Sequence, residues 1–332
     1  MNQILFFKPF DYFYFNATTR NFVSIIEKMD NVTVVDYSNF KKFIDYNEDT
    51  LVIYLPFTLF GVDLKQYNRV YSRLSKAYNV PLKNIINFDI ASQYYKVFLN
   101  IYSLSTKTIS LLSEYDPHAL LEDGLMINYL KRDTDYLLLS GPELYDFEFH
   151  LNQCPDIDMK KFIKAYDFLK INKKRIISLG HFVDISEFSC IDEIKLKNRV
   201  CSAPGARYIN RKLFISNYVS LRNIDYLKSI FDFFFLKFIW RLPIPKFKIS
   251  ISKYYFDNII KRSIFTYTCG STAGFFIRKF LEIPSYSSCM ITHNYKFLYN
   301  LGFIEGVHYF NLDDIETQQL LKGEDLEILY RF

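Results

Sequence analysis

The feature that most constrains the fold is an alternation of short strand-like runs with helical patterns. The runs QILFF, VTVVDY and TLVIYLP are rich in β-branched and aromatic residues, and the amphipathic stretch TRNFVSIIEKM separates the first two. Strands that alternate with helices form parallel sheets. The first half of the chain therefore predicts a Rossmann-like α/β unit. We expect further strands at KNIINFDI, TDYLLLSG and KRIISLG, and mostly helical structure from about Ser92 to Leu130.

A second α/β unit is predicted where the pattern restarts at RVCSAPGA. A strand, a Pro-Gly turn and a helix follow there, and the pattern ends near EGVHYFNL with a last helical segment. A chain of 332 residues, half of them apolar, can bury two cores of roughly 150 residues each. We predict two Rossmann-like domains that face each other across a cleft, at 1–177 and 178–315, followed by a helical tail at 316–332.

Charge and cysteine content narrow the classes of function. The chain has 41 basic and 36 acidic side chains, and a net charge of +5 is too small to indicate duplex nucleic acid as the main partner. The five cysteines are scattered without CxxC spacing, which predicts neither a disulfide framework nor a zinc site and indicates the cytosol. Lys8 and Asp11 interrupt the first apolar run too early for a signal peptide or a membrane span.

The segment after the strand-like run IFTYTC carries a dense set of candidate binding residues. We predict a helix that starts near Ser271 or Thr272, where Gly270 lets a ligand approach the backbone. Free N–H groups at a helix N-terminus favour anions such as a diphosphate. Ligands of parallel sheets bind beyond the carboxyl ends of the strands, which is where this segment begins.

The polar face of the same predicted helix carries two cations and a carboxylate. Arg278 and Lys279 are suited to binding phosphate, and the Glu282 carboxylate can accept hydrogen bonds from both hydroxyls of a ribose. The alternative is an exposed i,i+4 ion pair between Arg278 and Glu282. A second turn, PGARYINRK, places Gly205 ahead of Arg207 and Arg211, whose guanidinium groups either hold phosphates or are solvated helix charges. Together the two turns predict a nucleotide site.

The segment IRKFLEIPSYSSCMI, followed by LYNLGFIEGVHYFNLDDI, resembles the C-terminal domain of GT-B glycosyltransferases, in particular the spore-maturation-type family. That family has an Arg-Lys-aromatic-aromatic-Glu-Ile-Pro helix, a small-residue turn into an apolar strand, Leu-Gly-Phe, an acidic-Gly pair and an aromatic strand. Leu281 replaces the second aromatic, and Ser287 stands where the family usually has glycine. The matching residues are Arg278, Lys279, Phe280, Glu282, Ile283, Pro284, Leu301, Gly302, Phe303, Glu305 and Gly306.

Two further segments extend this resemblance to roughly residues 178 to 315. HFVDISEF is similar to the Asn-Gly-Val-Asp segment that joins the two halves of many GT-B enzymes, with His181 and Phe182 in place of Asn-Gly. APGARYINR resembles the turn of phage DNA glucosyltransferases in which two arginines hold the donor diphosphate, here Arg207 and Arg211. The resemblance implies a nucleotide-sugar donor on the second domain and an acceptor on the first.

Glycosyl transfer needs a stabilised leaving group and a group that takes the acceptor's proton. GT-B enzymes usually stabilise the departing phosphate with cations and helix dipoles, so the resemblance implies no metal and no cofactor besides the nucleotide-sugar co-substrate. We interpret LDDIE at 312–316 as the cap and first turn of the last helix. The candidate bases are Asp11 and His118, with a turn role and a solvated or capping role as their alternatives.

The aromatic run SIFDFFFLKFIWRLPIPKFKIS at 229–250 has two interpretations. Its basic residues Lys237, Arg241, Lys246 and Lys248 suit a peripheral contact with an anionic membrane, close to a lipid-linked acceptor. We favour the other interpretation, an interior helix and strand of the second domain.

We therefore predict a cytoplasmic glycosyltransferase that moves a sugar from a nucleotide-sugar donor to a glycan or lipid-linked saccharide, with the inner face of the membrane as one alternative location. Two other functions stay open: a non-catalytic nucleotide- or glycan-binding protein of the same fold, and a DNA-modifying glucosyltransferase. The second of these requires a stronger basic surface on the first domain than Lys41, Lys42, Arg69 and Arg73 make.

Overall fold

The structure is a computed structural model that describes residues 3–8, 17–55, 64–65, 67–68, 72, 75, 87–112, 135–140, 167, 170–179, 197–205, 209–242, 245–270 and 277–323. These residues form two parallel β-sheets, each in its own compact unit. In the described parts of both units, helices lie between several pairs of successive strands. The predicted α/β class with parallel, Rossmann-like sheets is confirmed.

The first unit contains a six-stranded sheet in the order β2-β1-β3-β4-β5-β6. The strands are β1 Ile4–Phe7, β2 Val32–Val35, β3 Leu51–Tyr54, β4 Lys107–Leu112, β5 Asp135–Ser140 and β6 Ile176–Leu179. The described helices of this unit are α1 Ala17–Glu27 and α2 Phe88–Leu104, with 3-10 turns at Phe40–Phe43 and Lys173–Arg175. Because β1 lies between β2 and β3, the strand order reverses there, and such a switch point is where open α/β sheets bind ligands.

The strand β1, which lies between β2 and β3, is apolar on both faces. Leu5, Phe6 and Phe7 are fully buried, as expected when helices cover both sides of a parallel sheet. Phe7 packs edge-to-face on Tyr94 of α2, with ring centroids 5.7 Å apart. The Tyr94 hydroxyl donates a 2.9 Å hydrogen bond to the carbonyl of Val35. This contact ties α2 to the end of β2.

The second unit contains a four-stranded sheet in the order β10-β9-β8-β7. Its strands are β7 Arg199–Ser202, β8 Ser263–Tyr267, β9 Cys289–Thr292 and β10 Tyr309–Asn311. The helices are α3 Ile209–Phe214, which continues into a π-helical turn at Ile215–Val219, α4 Asn223–Trp240, α5 Pro245–Lys261, α6 Lys279–Ser285, α7 Lys296–Asn300 and α8 Ile315–Lys322.

Helices cover both faces of the second sheet. Phe214 of α3 and Leu321 of α8 share one apolar cluster with Ile291 of β9. Phe280 of α6 shares the other cluster with Met290, the neighbouring residue of β9. Successive strand residues point to opposite faces, so β9 contributes to both clusters.

Two predictions in the first unit are wrong. Phe88–Ile90, predicted as the end of a strand, begin α2, and the Asn87 side chain caps this helix by accepting from the amide of Asp89 at 2.7 Å. The strand β4 lies inside the stretch predicted to be mostly helical. Its pairing with both β3 and β5 supplies the hydrogen bonds that a six-residue segment cannot supply to itself as a stable helix.

The limits of the two units can be compared with the predicted domains. Among the described residues, all those up to Leu179 belong to the first unit, so the predicted boundary at 177 falls inside β6. Those from Lys197 onward belong to the second unit, apart from Pro245. The predicted tail contains α8, whose Leu320 and Leu321 are buried in the second core.

The described residues of the aromatic run at 229–250 are helical apart from Arg241 and Leu242. It covers the end of α4 and the start of α5, and Phe231, Phe234 and Phe238 are exposed. The favoured prediction of an interior helix and strand is therefore correct in the helix, and it is wrong in the strand and in the interior position of these three residues. No helix in the described ranges combines the length and apolar character needed to cross a bilayer.

Candidate functional site

The structure describes about half of the predicted site residues. Asp11, His118, Arg207, Ser271 and Thr272 lie outside the described residues. The others belong to the second unit and lie on β7–α3 or on β8–α6: Gly205, Arg211, Gly270, Arg278, Lys279 and Glu282.

These residues gather beyond the carboxyl ends of β7 and β8. The two strands pair in parallel, with Ser202 opposite Thr266, so they end at the same edge of the sheet. β7 runs into the Pro204-Gly205 turn, and β8 runs into Cys269 and Gly270. The prediction that two separate turns converge on this edge follows from parallel pairing and is consistent with this geometry.

Gly205 brings the first turn against two cationic side chains. Its φ of +113° is one that residues with a side chain rarely adopt. A Cβ at this position would collide with Nζ of Lys279 and would lie 3.2 Å from Nη1 of Arg211. The missing side chain thus makes the space into which Lys279 reaches.

Lys279 is the first residue of α6, and its ammonium is enclosed. Nζ donates a 3.0 Å hydrogen bond to the carbonyl of Pro204 and lies 5.2 Å from the centre of the Phe256 ring. Burial lowers the pKa of Lys279 to about 7, and the nearby Arg211 guanidinium also lowers it. A small change in local charge therefore decides whether this amine carries a proton near neutral pH.

Arg211 lies on α3 and is almost completely buried. Its Nη2 is 3.6 Å from Sγ of Cys269, at the end of β8. A guanidinium remains charged in the protein interior, so it needs hydrogen-bond acceptors or an anion close by. The buried Arg211 and the half-buried Lys279 thus bring two cations together at the Gly205 turn.

Arg278 and Glu282 form an ion pair on α6. Nε of Arg278 lies 2.6 Å from Oε1 of Glu282, and both side chains are mostly buried. The alternative of an exposed i,i+4 pair is thus correct in the pairing and wrong in the exposure. Burial raises the pKa of Glu282, and Arg278 acts in the opposite direction. One carboxylate oxygen is already engaged by an arginine.

The helix that carries these residues is shorter than predicted. α6 begins at Lys279, and Ile277 is not helical, so the described residues contradict a continuous helix from Ser271 or Thr272. Pro284 lies within its last turn, and Ser287 beyond it adopts a φ of +56°. The positive charge of this site consequently comes from its side chains and not from the N-terminus of a continuous helix that starts near Gly270.

Gly270 is buried, and its backbone amide donates to the Tyr295 hydroxyl at 3.2 Å. This bond anchors the end of β8 to the segment between β9 and α7. The Gly270 amide is thus used within the fold, whereas the sequence predicted its approach to a ligand.

A hydrogen-bonded chain across three strand ends was missed from the sequence. The Tyr267 hydroxyl lies 3.2 Å from Nε2 of His293, and Nδ1 of His293 lies 2.9 Å from Oδ1 of Asp313. Tyr267 is buried, whereas the Asp313 side chain is 54% exposed. Burial raises the pKa of Tyr267 above its ordinary value. The available signals were a histidine directly after β9 and an acidic residue two positions after β10.

The interpretation of LDDIE as a helix cap and first turn is confirmed, and Asp313 adds a second contact. The N-cap of α8 is Asp314, and Glu316 lies in its first turn, as that interpretation requires. Asp313 instead pairs with His293. The segment therefore combines a helix start with a contact to the neighbouring strand end.

Three cations and one carboxylate lie close together around α6 in the described part of the chain. Arg211, Arg278 and Lys279 are accompanied by Glu282. Asp257, which also raises the pKa of Glu282, pairs with Lys253 at 2.8 Å. Cations that lie close together in a partly buried place are suited to binding an anion, because an anion reduces their mutual repulsion.

Comparisons with protein-family models, with curated proteins and with solved structures find no match to this chain.

Proposed function

We propose that the chain is a nucleotide-sugar-dependent glycosyltransferase, and that its second unit binds the donor through the diphosphate. In this proposal the two parallel-sheet units take the GT-B arrangement, with the acceptor glycan or lipid-linked saccharide on the first unit. The observation that carries the proposal is the closeness of the buried Arg211 and the half-buried Lys279 at the Gly205 turn.

The pair suits a diphosphate for electrostatic reasons. Two cations in a site of low dielectric constant repel each other, and an anion between or beside them removes that repulsion. Arg211 supplies a planar fork of donors, and Lys279 supplies a compact charge. A diphosphate would also raise the pKa of Lys279 from about 7, so that binding fixes a proton on this amine.

The same cations explain how a sugar can leave without a metal ion. Negative charge develops on the β-phosphate when the bond to the sugar breaks, and preorganised donors stabilise it. Arg211 and Lys279 take this role, with Arg207 as a further proposed donor from the same turn.

Glu282 is the proposed partner of the ribose hydroxyls. Its Oε1 accepts from Arg278 Nε, which holds the carboxylate in one orientation. A carboxylate has about four lone-pair sites, so the pairing with Arg278 leaves acceptor capacity for hydroxyl groups. Arg278 then acts as the residue that positions Glu282.

The base that takes the acceptor's proton is proposed to come from the first unit. Asp11 follows β1 in the sequence, and β1 is the strand at which the order of the first sheet reverses. Connections at such a switch point form binding crevices in α/β sheets. His118 is the second proposed candidate.

Binding and turnover of donors test this function. Calorimetry with nucleoside diphosphates and with the free nucleosides should show that Lys279→Met lowers diphosphate affinity at least about tenfold and leaves nucleoside affinity almost unchanged. Lys261→Met is the matched control, because Lys261 also lies over an aromatic ring of this unit, 4.9 Å from the centre of Tyr286. Release of nucleoside diphosphate from nucleotide-sugars should accompany binding by the parent chain.

Two outcomes would count against the proposal. Equal diphosphate affinities for Lys279→Met and Lys261→Met would remove the site assignment. Tight binding without turnover of any nucleotide-sugar, in the presence of glycan or lipid-linked acceptors, would reject transfer and leave the non-catalytic binding protein.

A further inference from the structure

The outer face of α4 carries a continuous apolar stripe. Five large side chains recur along it at alternating spacings of three and four residues, and each is between 61% and 68% exposed. These residues are Ile224, Leu227, Phe231, Phe234 and Phe238, and we call them the α4 stripe. At about 1.5 Å per residue the α4 stripe is roughly 21 Å long. An apolar surface of this kind marks an interaction site.

The acidic residues of α4 lie on its inner face. Asp225 is buried and accepts hydrogen bonds from the amides of Val200 and Cys201, at 2.9 and 3.1 Å. Asp232 is buried and pairs with Arg199, and it also accepts from the Tyr255 hydroxyl at 2.7 Å. These contacts fix the helix with its carboxylates inward, and the α4 stripe consequently faces outward.

The remaining charged residues of α4 are basic and border the α4 stripe. At 100° per residue, Lys228 and Lys237 lie on opposite sides, each about 90° from the middle of the stripe. Arg241 caps the C-terminal end and is exposed. Lysines in such positions extend their aliphatic chains along apolar surface and keep the ammonium in a polar layer.

This charge pattern selects among the partners of an apolar helix face. Two copies of the α4 stripe have the spacing of a coiled-coil seam, but their borders would bring lysines of one copy beside lysines of the other. Both acids of α4 are engaged in the interior, so the helix offers no complementary charge to a second copy. An anionic surface that also accepts large apolar side chains satisfies both requirements, and an anionic bilayer has these properties.

We propose that α4 seats this protein on the surface of an anionic lipid bilayer, with the α4 stripe among the acyl chains and Lys228, Lys237 and Arg241 at the level of the lipid phosphates. α4 lies in the plane of the interface in this arrangement, since it also carries Asp225 and Asp232 on the face turned toward the sheet. The proposal is independent of the donor site and does not require glycosyl transfer.

Vesicle binding by the full chain tests the proposal. Cosedimentation with vesicles of phosphatidylcholine and phosphatidylglycerol should exceed that with phosphatidylcholine alone at least about tenfold, and salt should reduce it. The variant Phe231→Ser/Phe234→Ser should lose at least about tenfold in partitioning, because two large apolar side chains no longer insert. Lys237→Glu should lose about fivefold or more.

The matched control removes exposed apolar side chains elsewhere in the same unit. Tyr299 and Val307 are at least as exposed as the α4 stripe, so Tyr299→Ser/Val307→Ser should bind vesicles like the parent. Insertion can be located with tryptophan, since Trp240 is the only tryptophan of the chain. In a Trp240→Phe background, Phe231→Trp should shift its emission to the blue with anionic vesicles, and Tyr299→Trp should not.

Three results would overturn the proposal. The first is a parent chain that does not bind anionic vesicles. The second is unchanged binding by both Phe231→Ser/Phe234→Ser and Lys237→Glu, with Lys237→Glu decisive if the serine variant loses its circular dichroism spectrum. The third is a dimer of the parent that these serines dissociate while vesicles have no effect, which would assign the α4 stripe to a second copy.

Discussion

At the scale of single residues, Ser287 carries backbone strain next to the candidate site. Its φ is +56°, and it is the one residue other than glycine with a positive φ among the described residues. The left-handed conformation costs about 1 kcal/mol or more for a residue with a Cβ. It is maintained because the Ser287 amide donates to the carbonyl of Pro284 at 2.9 Å and the Ser288 amide donates to that of Ile283 at 3.3 Å.

Ser287→Gly should therefore stabilise the protein. The expected gain is about 0.5–1 kcal/mol in the free energy of unfolding, since the relief of strain exceeds the entropy that glycine adds to the unfolded chain. Urea unfolding of the parent and the variant measures it. Ser285→Gly is the control: Ser285 is helical, so the same change there should lower stability. A loss of stability in Ser287→Gly would contradict the strain argument.

The lowered pKa of Lys279 predicts how the stability of the protein depends on pH. Its pKa is about 7 in the folded protein and 10.5 for an ordinary lysine, so between these values the unfolded state binds a proton that the folded state lacks. The free energy of unfolding contributed by this group therefore rises with pH across that window. The parent should gain stability relative to Lys279→Met between about pH 7 and pH 10 in urea titrations. Lys261→Met should follow the parent, and parallel curves for the parent and Lys279→Met would refute the lowered pKa.

At the scale of elements, α4 and β7 depend on each other. β7 is an edge strand of the described sheet, and edge strands leave backbone groups without a ladder partner. The Asp225 carboxylate accepts from the amides of Val200 and Cys201. It thus supplies a hydrogen-bond acceptor to the backbone at one edge of the sheet, and it also fixes the rotation of α4 about its own axis.

Asp225→Ala should destabilise the protein by about 1–3 kcal/mol, because the two amides lose their acceptor in a buried place. Asp225→Asn should recover part of this loss, since both amides donate to one oxygen and the neutral side-chain carbonyl can still accept both bonds, though more weakly than a carboxylate. Thermal and urea unfolding measure both variants. A stability of Asp225→Ala equal to that of the parent would show that the carboxylate does not support the strand edge.

The strands and the candidate site differ in how far the sequence predicts them. Apolar runs mark β1, β3 and β8 because burial on both faces leaves a continuous signal in the sequence. The contact between Gly205 and Lys279 can be predicted, because the turns that carry them follow two strands that end at one edge of the sheet. The burial of Arg278 with Glu282 does not follow, because local spacing is the same for an exposed pair and an enclosed one.

Contacts between distant elements account for the other errors. The bond between His293 and Asp313 depends on strand pairing and on the turn that follows β10. The aromatic residues of α4 predict an interior position by composition, but the pairing of Asp232 with Arg199 turns them outward. In both cases a residue far away in the sequence decides the outcome.

At the scale of the whole molecule, the proposal assigns acceptor binding to the first parallel-sheet unit and both donor binding and membrane contact to the second. The second unit holds the buried cations, and α4 of that same unit presents the proposed membrane surface. A net charge of +5 is modest, so attraction to an anionic bilayer must come from where the charges lie. Donor binding and membrane binding are therefore expected to be separable by variants of the second unit alone.

Gly205 constrains how this protein can change over evolutionary time. Its backbone conformation is unfavourable for other residues, and its missing side chain makes room for an ammonium group. Any missense change in that codon therefore strains the backbone and also displaces the Lys279 ammonium. The ammonium is the end of a flexible side chain and can move aside, so the backbone strain is the lasting cost that keeps glycine at this position.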